Sequence, residues 1–215
     1  MEKEIRTLNT EFKAEEENRT IEGVSIVFNQ LSEDLGGFRE MISPDAVVDV
    51  IEESDIFLLY NHDRDRGYLA RSRNGKGTLK IDIRTDGVHF SCKAPHTALA
   101  EEVREHLIAG DTNQCSFAFT VAEDRWEKKE DGTYIRTILK FDRLYDFSIV
   151  DTPAYSQTSA SCRSFDEFKE KEARELEEQK AKEEEEARLE EERKQKEAIE
   201  EQHKKMLEDY GKYIN

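Results

Sequence analysis

The chain has 215 residues, with 33 basic and 50 acidic side chains and a formal net charge of -17. This negative excess argues against a nucleic-acid partner, because binding to phosphates needs a basic face that displaces counterions. No apolar stretch approaches the roughly 18 to 20 residues of a membrane span, and the chain does not begin like a signal peptide. The composition predicts a soluble intracellular protein.

The charge is concentrated towards the C-terminus. Residues 164–215 carry 19 acidic and 12 basic side chains, which leaves 31 acidic and 21 basic ones for residues 1–163. The first segment is therefore about one-third charged, which is compatible with a packed core. In the second segment Glu, Lys, Arg and Ala favour helix, but Leu176, Leu189 and Ile199 hold no heptad register. We predict a domain over residues 1–163 and a charged tail over residues 164–215, either a solvated, scaffold-like helix or a disordered segment.

The predicted elements alternate strands with two short helices. Runs of β-branched, aromatic or alternating residues predict strands over residues 21–28, 56–60, 79–84, 88–92, 114–121, 133–141 and 144–150. Ser43 before Pro44 predicts the start of a short helix. A second, amphipathic helix is predicted before Gly110, because Leu99 and Val103 begin a repeat of four residues. Seven strands and two helices predict an α+β domain whose sheet closes into a barrel.

Three residues have the chemistry of a hydrolytic site. His62 follows a buried apolar strand, Ser116 lies mid-strand on a face of small residues, and Asp146 lies on a later strand. A serine hydroxyl needs a base to accept its proton, and the base works best when a third group orients it. Each residue alone is also compatible with an ordinary loop or strand position, so the pattern leaves both interpretations open.

Several motifs follow one another along the chain: Glu22-Gly23, Arg39-Glu40-Met41-Ile42-Ser43-Pro44-Asp45-Ala46, Tyr60-Asn61-His62-Asp63, Cys115-Ser116-Phe117-Ala118-Phe119, Asp146-Phe147-Ser148-Ile149-Val150 and Pro153-Ala154-Tyr155. Their order resembles that of the prohead (capsid maturation) proteases of tailed bacteriophages. The resemblance covers residues 6–163, and it departs from the family at Ala118, where glycine is common. It implies the fold of the herpesvirus assemblin serine proteases, a β-barrel flanked by a few helices.

The resemblance also implies the roles of the site residues. Ser116 matches the family's nucleophile and His62 its general base. The herpesvirus enzymes use a second histidine as third member, but the only histidine after Ser116 is His203, in the tail. The phage family commonly has an acidic residue before a Ser-Val-Val-like segment, and Asp146 occupies that place.

Two further assignments stay open. Asp142 and Asp151 are alternatives to Asp146 as the third member. Arg163, or a backbone amide after Val150, is a candidate donor to the oxyanion, which needs hydrogen-bond donors aimed at it.

Metal and disulfide chemistry are not predicted. His62, Asp63, Asp65 and His89 have the donor types of a metal site but no recognised spacing. The three cysteines, at positions 92, 115 and 162, are odd in number and have no CxxC spacing, which indicates a reducing compartment. Cys115 alternates onto the side of Phe117, so we expect a buried apolar residue and not a nucleophile.

On this resemblance the predicted function is that of a prohead maturation serine endopeptidase without a cofactor. Its expected substrates and partners are the scaffold protein and the scaffold-like N-terminal part of the major capsid protein. Self-processing is predicted, self-association is allowed, and the expected location is the procapsid in the host cytoplasm. The alternative is a catalytically inactive capsid assembly or scaffolding protein on the same fold.

Overall fold

The computed structural model describes residues 2–14, 18–151 and 159–212, with the backbone alone for residues 159–162, 203–205 and 207–212. It comprises two compact units, Met1–Phe165 and Asp166–Asn215. The first unit contains all the described strands, and the second consists of helix.

The strands, in chain order, are β1 (Glu4–Asn9), β2 (Lys13–Ala14), β3 (Thr20–Val27), β4 (Phe38–Ile42), β5 (Asp55–Tyr60), β6 (Ala70–Arg73), β7 (Lys76–Gly77), β8 (Lys80–Ile83), β9 (Gly87–Lys93), β10 (Gln114–Lys128) and β11 (Tyr134–Val150). The helices are a 3₁₀ turn (Pro44–Val47), α1 (Val50–Glu53), α2 (Ala98–Ala109) and α3 (Ser159–Lys212).

Two sheets make up the first unit. The larger has the order β1-β10-β11-β5-β6-β7, with β4 also paired to β11, and the smaller has the order β2-β3-β9-β8. The α+β class is therefore confirmed. The described strands do not close into the predicted barrel, because the outer strands β1 and β7 of the larger sheet do not pair with each other.

Strand β11 organises the larger sheet because it is long enough to pair with several strands. It runs antiparallel to β10 along its whole length, from Gln114 opposite Val150 to Lys128 opposite Tyr134. Its first half pairs in parallel with β4 and its second half in parallel with β5. The C-terminal end of β5 therefore lies beside the end of β11, and the loop that follows β5 starts at the middle of the sheet.

The hydrophobic core contains one face of β10. Cys115, Phe117 and Phe119 are all buried in it. Phe119 packs edge-on against Phe141 of β11, with ring centroids 4.9 Å apart. The opposite face of β10 is also buried but carries small and polar side chains, and Ser116 is one of them.

The predicted helix before Gly110 is confirmed as α2. Thr97 caps its start by accepting a hydrogen bond from the Ala100 amide, and Gly110 ends it in the left-handed conformation. The predicted helix after Ser43 is divided into a 3₁₀ turn and the single turn α1, and the Ser43 side chain makes no capping hydrogen bond.

Helix α3 is a single helix of 54 residues. Near its start Phe165 packs into the first unit, where its ring stacks 5.4 Å from that of Trp126. Beyond it the surface is charged, with pairs four residues apart such as Lys194 and Glu190 at 2.9 Å. Further along the helix Leu176, Leu189, Ile199 and Met206 are exposed. In the described part of the chain no helix is long and apolar enough to cross a membrane.

Candidate active site

Ser116 lies near the start of β10, between Thr7 of β1 and Ser148 of β11. Its side chain is fully buried. The Oγ atom lies 2.7 Å from His62 Nε2 and 3.0 Å from the Arg6 carbonyl oxygen, and the Thr7 hydroxyl donates to it at 3.1 Å. Because a hydroxyl carries one proton, Ser116 donates either to the imidazole or to the Arg6 carbonyl at any moment.

His62 reaches Ser116 because the chain turns sharply at the end of β5. Asn61 and His62 both have a left-handed backbone, with φ of 53° and 56°. This conformation is uncommon outside glycine, although Asn and His adopt it more often than most residues. The Asn61 amide donates to the Ile149 carbonyl at 2.9 Å, and the Asn61 side chain accepts from the Asp151 amide at 3.2 Å. The turn is thus tied to the end of β11.

Asp146 completes the arrangement from β11. Its Oδ1 atom lies 2.5 Å from His62 Nδ1, and its Oδ2 atom lies 3.3 Å from Lys3 Nζ. When Nδ1–H donates to this carboxylate, the lone pair of Nε2 faces the Ser116 hydroxyl, which is the tautomer that a general base requires.

The electrostatics of Asp146 favour the ionised carboxylate. Burial alone would raise its pKa, but the hydrogen bond and charge of His62, with the charge of Lys3, outweigh burial and lower the pKa below the usual range. A carboxylate that stays ionised at neutral pH can orient the imidazole and stabilise the imidazolium formed when His62 accepts a proton.

The alternative residues have other partners. Asp142 accepts a hydrogen bond from the Thr120 hydroxyl at 2.9 Å, and Asp151 accepts one from the Tyr60 hydroxyl at 3.2 Å. Arg163 forms an ion pair with Glu2. The Pro153-Ala154-Tyr155 motif and most of the loop after Val150 lie outside the described residues.

Cys115 has the environment of a core residue. It is fully buried on the face opposite Ser116. Burial, assisted by the negative charge of Asp146, raises the pKa of its thiol far above the ordinary value. The thiolate, which is the nucleophilic form, is therefore not populated at neutral pH.

Metal ligands do not come together in the described part of the chain, where no three His, Cys, Asp or Glu side chains are close enough to hold an ion. His89, one of the four residues with suitable donor atoms, pairs with Asp86 at 3.0 Å.

A groove of about 560 Å³ opens beside the triad. His62 and Asp146 line it, together with basic side chains that include Lys3 and Arg143. Ser116 is not part of this lining, so in this conformation the groove reaches His62 and Asp146 but not Ser116.

Sequence reasoning missed several neighbours of the three residues. Lys3 and Thr7 were not considered, because no strand was predicted before residue 21. The two-residue period of a strand places Ser148 on the same face as Asp146, but no sequence pattern indicated a role for it. Its Oγ atom contacts Asp146 at 2.8 Å and the His62 amide at 3.2 Å.

The geometry is that of a serine hydrolase triad, with a hydroxyl, an imidazole and a carboxylate in hydrogen-bonded series on an α+β scaffold. The sequence matches the caudovirus prohead serine protease family over residues 4–171, and the chain belongs to this family. The family predicted from the motifs is thereby confirmed.

One solved structure that the fold resembles is the bacteriophage T4 capsid assembly protease. The similarity has a TM-score of 0.40 with 13% sequence identity, and it covers 70% of this chain and 99% of that chain. No curated protein shows significant similarity to this chain.

Proposed function

We propose that this chain is an active prohead serine endopeptidase in which Ser116 is the nucleophile, His62 the general base and Asp146 the group that orients His62. The observation that carries the proposal is the series of two hydrogen bonds, 2.7 Å from Ser116 Oγ to His62 Nε2 and 2.5 Å from His62 Nδ1 to Asp146. The alternative, an inactive assembly protein, gives no reason for these three side chains to converge.

The proposed mechanism follows from the two hydrogen bonds. His62 takes the Ser116 proton as Oγ attacks a peptide carbonyl, and the imidazolium then protonates the leaving amine, which leaves an acyl-enzyme. A water molecule hydrolyses the acyl-enzyme, with His62 first accepting its proton and then returning one to Ser116. Because Ser116 is fully buried, a substrate reaches it only after local movement.

The substrates follow from family membership. We infer that the enzyme cleaves scaffold protein or the scaffold-like N-terminal part of the major capsid protein, and that it also processes itself. It would act inside the procapsid in the host cytoplasm and associate with these proteins or with a second copy of itself. Arg163 and the amides after Val150 remain the proposed oxyanion donors, and a fold related to that of the herpesvirus assemblin proteases remains a proposal from the resemblance, without the closed barrel.

The test is co-expression with the scaffold and major capsid proteins of the same phage, followed by mass spectrometry. The wild-type chain should cut them and Ser116→Ala should leave them intact. Cys115→Ala is the matched control, because it changes the adjacent residue on the opposite face of β10, and it should cut like wild type. Intact capsid and scaffold proteins in all three samples would favour the inactive assembly protein.

For the tail, we propose that residues 164–215 form a scaffold-like segment that delivers residues 1–163 into the growing shell. The long, exposed, charged surface of α3 supports this role. A chain that ends after Phe165 keeps the aromatic packing of that residue and removes the rest of the helix. Packaging of this shortened chain at the full-length level, measured by protease copies per procapsid, would exclude the delivery role.

A further inference from the structure

Ser148 is a fully buried hydroxyl at the centre of the site, and the mechanism above gives it no role. It lies in β11 directly opposite Ser116 on one side and Leu59 of β5 on the other. Its Oγ atom contacts two members of the triad, 2.8 Å from Asp146 Oδ1 and 3.1 Å from His62 Nδ1. A third contact, at 3.2 Å, is with the backbone amide of His62.

The Ser148 hydroxyl donates one hydrogen bond and accepts another. With its own hydrogen directed at Asp146 Oδ1, His62 Nδ1 cannot accept the proton of Ser148. Ser148 therefore donates that proton to Asp146 Oδ1. One of its lone pairs accepts the backbone N–H of His62. A single side chain thus connects the carboxylate to the main chain of the residue whose ring the carboxylate orients.

The contact with the His62 amide matters because of the backbone at that position. His62 has a φ of 56° and follows Asn61, which is also left-handed. Residues in such sparsely populated conformations persist only where their surroundings hold them. The Ser148 hydroxyl supplies the acceptor for the backbone amide of His62.

We propose that Ser148 is a positioning residue for peptide cleavage, which holds the His62 main chain and the Asp146 carboxylate in register with Ser116. The proposal rests on the proposed roles of Ser116 and His62. Without this hydroxyl, Asp146 loses a donor and the His62 amide loses its acceptor. The ring is then free to leave the line between Ser116 Oγ and Asp146 Oδ1.

The test compares three variants of the full chain. Ser148→Ala removes the hydroxyl, and Ser148→Thr keeps it. Ser25→Ala is the matched control, because Ser25 is also fully buried in a strand and its hydroxyl donates one hydrogen bond, to the Val88 carbonyl at 3.1 Å. The rate at which diisopropyl fluorophosphate labels Ser116 measures activation of the nucleophile without requiring a known peptide substrate.

Labelling of Ser148→Ala should be roughly 10- to 100-fold slower than wild type, since small misplacements of catalytic groups have effects of this size. Ser148→Thr should recover most of the rate, and Ser25→Ala should label like wild type. A role in folding alone would slow the two alanine variants together, in proportion to their loss of melting temperature. Equal rates for Ser148→Ala and Ser25→Ala would overturn the proposal.

A second measurement is independent of activity. The Nδ1 proton of His62, held between the ring and Asp146, should give a downfield proton resonance in wild type and in Ser25→Ala. The resonance should be lost or broadened by exchange in Ser148→Ala at the same pH. An unchanged resonance would refute the positioning role, whereas a wild-type chain that shows the resonance but never labels would refute the proposed function instead.

Discussion

Replacement of Arg136 by methionine should destabilise the first unit strongly. The Arg136 side chain is only 2% exposed and lies among three carboxylates. It pairs with Glu4 at 2.8 Å, with Glu40 at 3.1 Å and with Asp124 at 2.7 Å. One other buried guanidinium, that of Arg6, shares Glu4 and Glu40 with it. We call these five side chains the buried charge cluster.

The magnitude follows from the charges that remain. With both arginines the cluster has a formal charge of -1, and without Arg136 it has -2, with Glu4 and Glu40 still away from water. Removing one partner of a buried ion pair costs about 3–5 kcal/mol, because it leaves an uncompensated charge. For a unit of this size about 1 kcal/mol corresponds to roughly 2–4 °C, so the melting temperature should fall by roughly 6–20 °C.

Trp126 provides the assay. It is the only tryptophan in the chain, and its ring lies 5.5 Å from the Arg136 guanidinium. Urea unfolding followed by tryptophan emission therefore reports on the first unit and not on the charged tail. Arg125→Met is the matched control, because Arg125 is the exposed neighbour of Trp126 on β10 and should change stability by less than about 0.5 kcal/mol. A loss below about 1 kcal/mol for Arg136→Met would refute the reasoning.

Three further predictions concern charge and reactivity. Burial alone would raise the pKa of Glu4, but Arg136 and Arg6 outweigh it and lower the pKa below the ordinary value of a glutamate. A carboxyl whose pKa is lower in the folded than in the unfolded chain stabilises the fold above its unfolded pKa, and this stability is lost as the pH falls through its folded pKa. Glu4→Gln removes this group and should therefore flatten the decline of the urea midpoint below about pH 5. Asp146→Asn should slow labelling of Ser116 by about 10⁴-fold, as expected when His62 adopts the wrong tautomer. Lys3→Met should change the labelling rate less than about threefold, because Lys3 is half exposed. Effects of similar size for the two variants would contradict the assigned roles. Burial raises the pKa of Cys92 to about 12 and also raises that of Cys115. Iodoacetamide should therefore leave both thiols unmodified in the native chain at pH 8. Mass spectrometry that shows either cysteine alkylated before unfolding would contradict their burial.

The parts of the fold predicted from sequence are those encoded by local patterns. The apolar run before His62 is strand β5, and the four-residue repeat before Gly110 is α2. The alternation around Ser116 places Cys115 and Phe117 in the core, as predicted. In these segments local periodicity and burial agree, so the sequence alone is sufficient to assign them.

The parts that escaped prediction depend on partners distant in the chain. Strand β1 contains Glu4 and Arg6, and such charged residues predict a solvated segment unless their partners are known. Their partners Glu40 and Arg136 lie about 35 and 130 residues away, and only the sheet pairing brings them together. The strand predicted over residues 114–121 is longer in the structure for a similar reason, since β10 continues to Lys128 through several bulges that the two-residue period does not reveal.

In the proposed triad, too, some features could be predicted from the local sequence and others depend on residues distant in the chain. The sequence alone predicted the strand that ends before His62 and the strand that contains Ser116. The 2.5 Å contact between His62 Nδ1 and Asp146 Oδ1 requires, in addition, that β5 runs parallel to the second half of β11. The choice of Asp146 over Asp142 or Asp151 came from the resemblance, and the geometry gives a physical basis for it. Of the three carboxylates, Asp146 is the one for which the structure records a contact with His62 Nδ1.

Strand β1 connects the stability of the fold to the site, because its two faces have different partners. Glu4 and Arg6 point into the buried charge cluster, while Thr7 contacts Ser116 from the other face. The Arg6 carbonyl also accepts from the Ser116 hydroxyl. A change that loosens the cluster should therefore alter the hydrogen bonds of the nucleophile as well as the free energy of unfolding. The two charged residues of β1 are buried because their ion pairs hold the strand in the sheet, and the same strand supplies the Arg6 carbonyl and the Thr7 hydroxyl that contact Ser116.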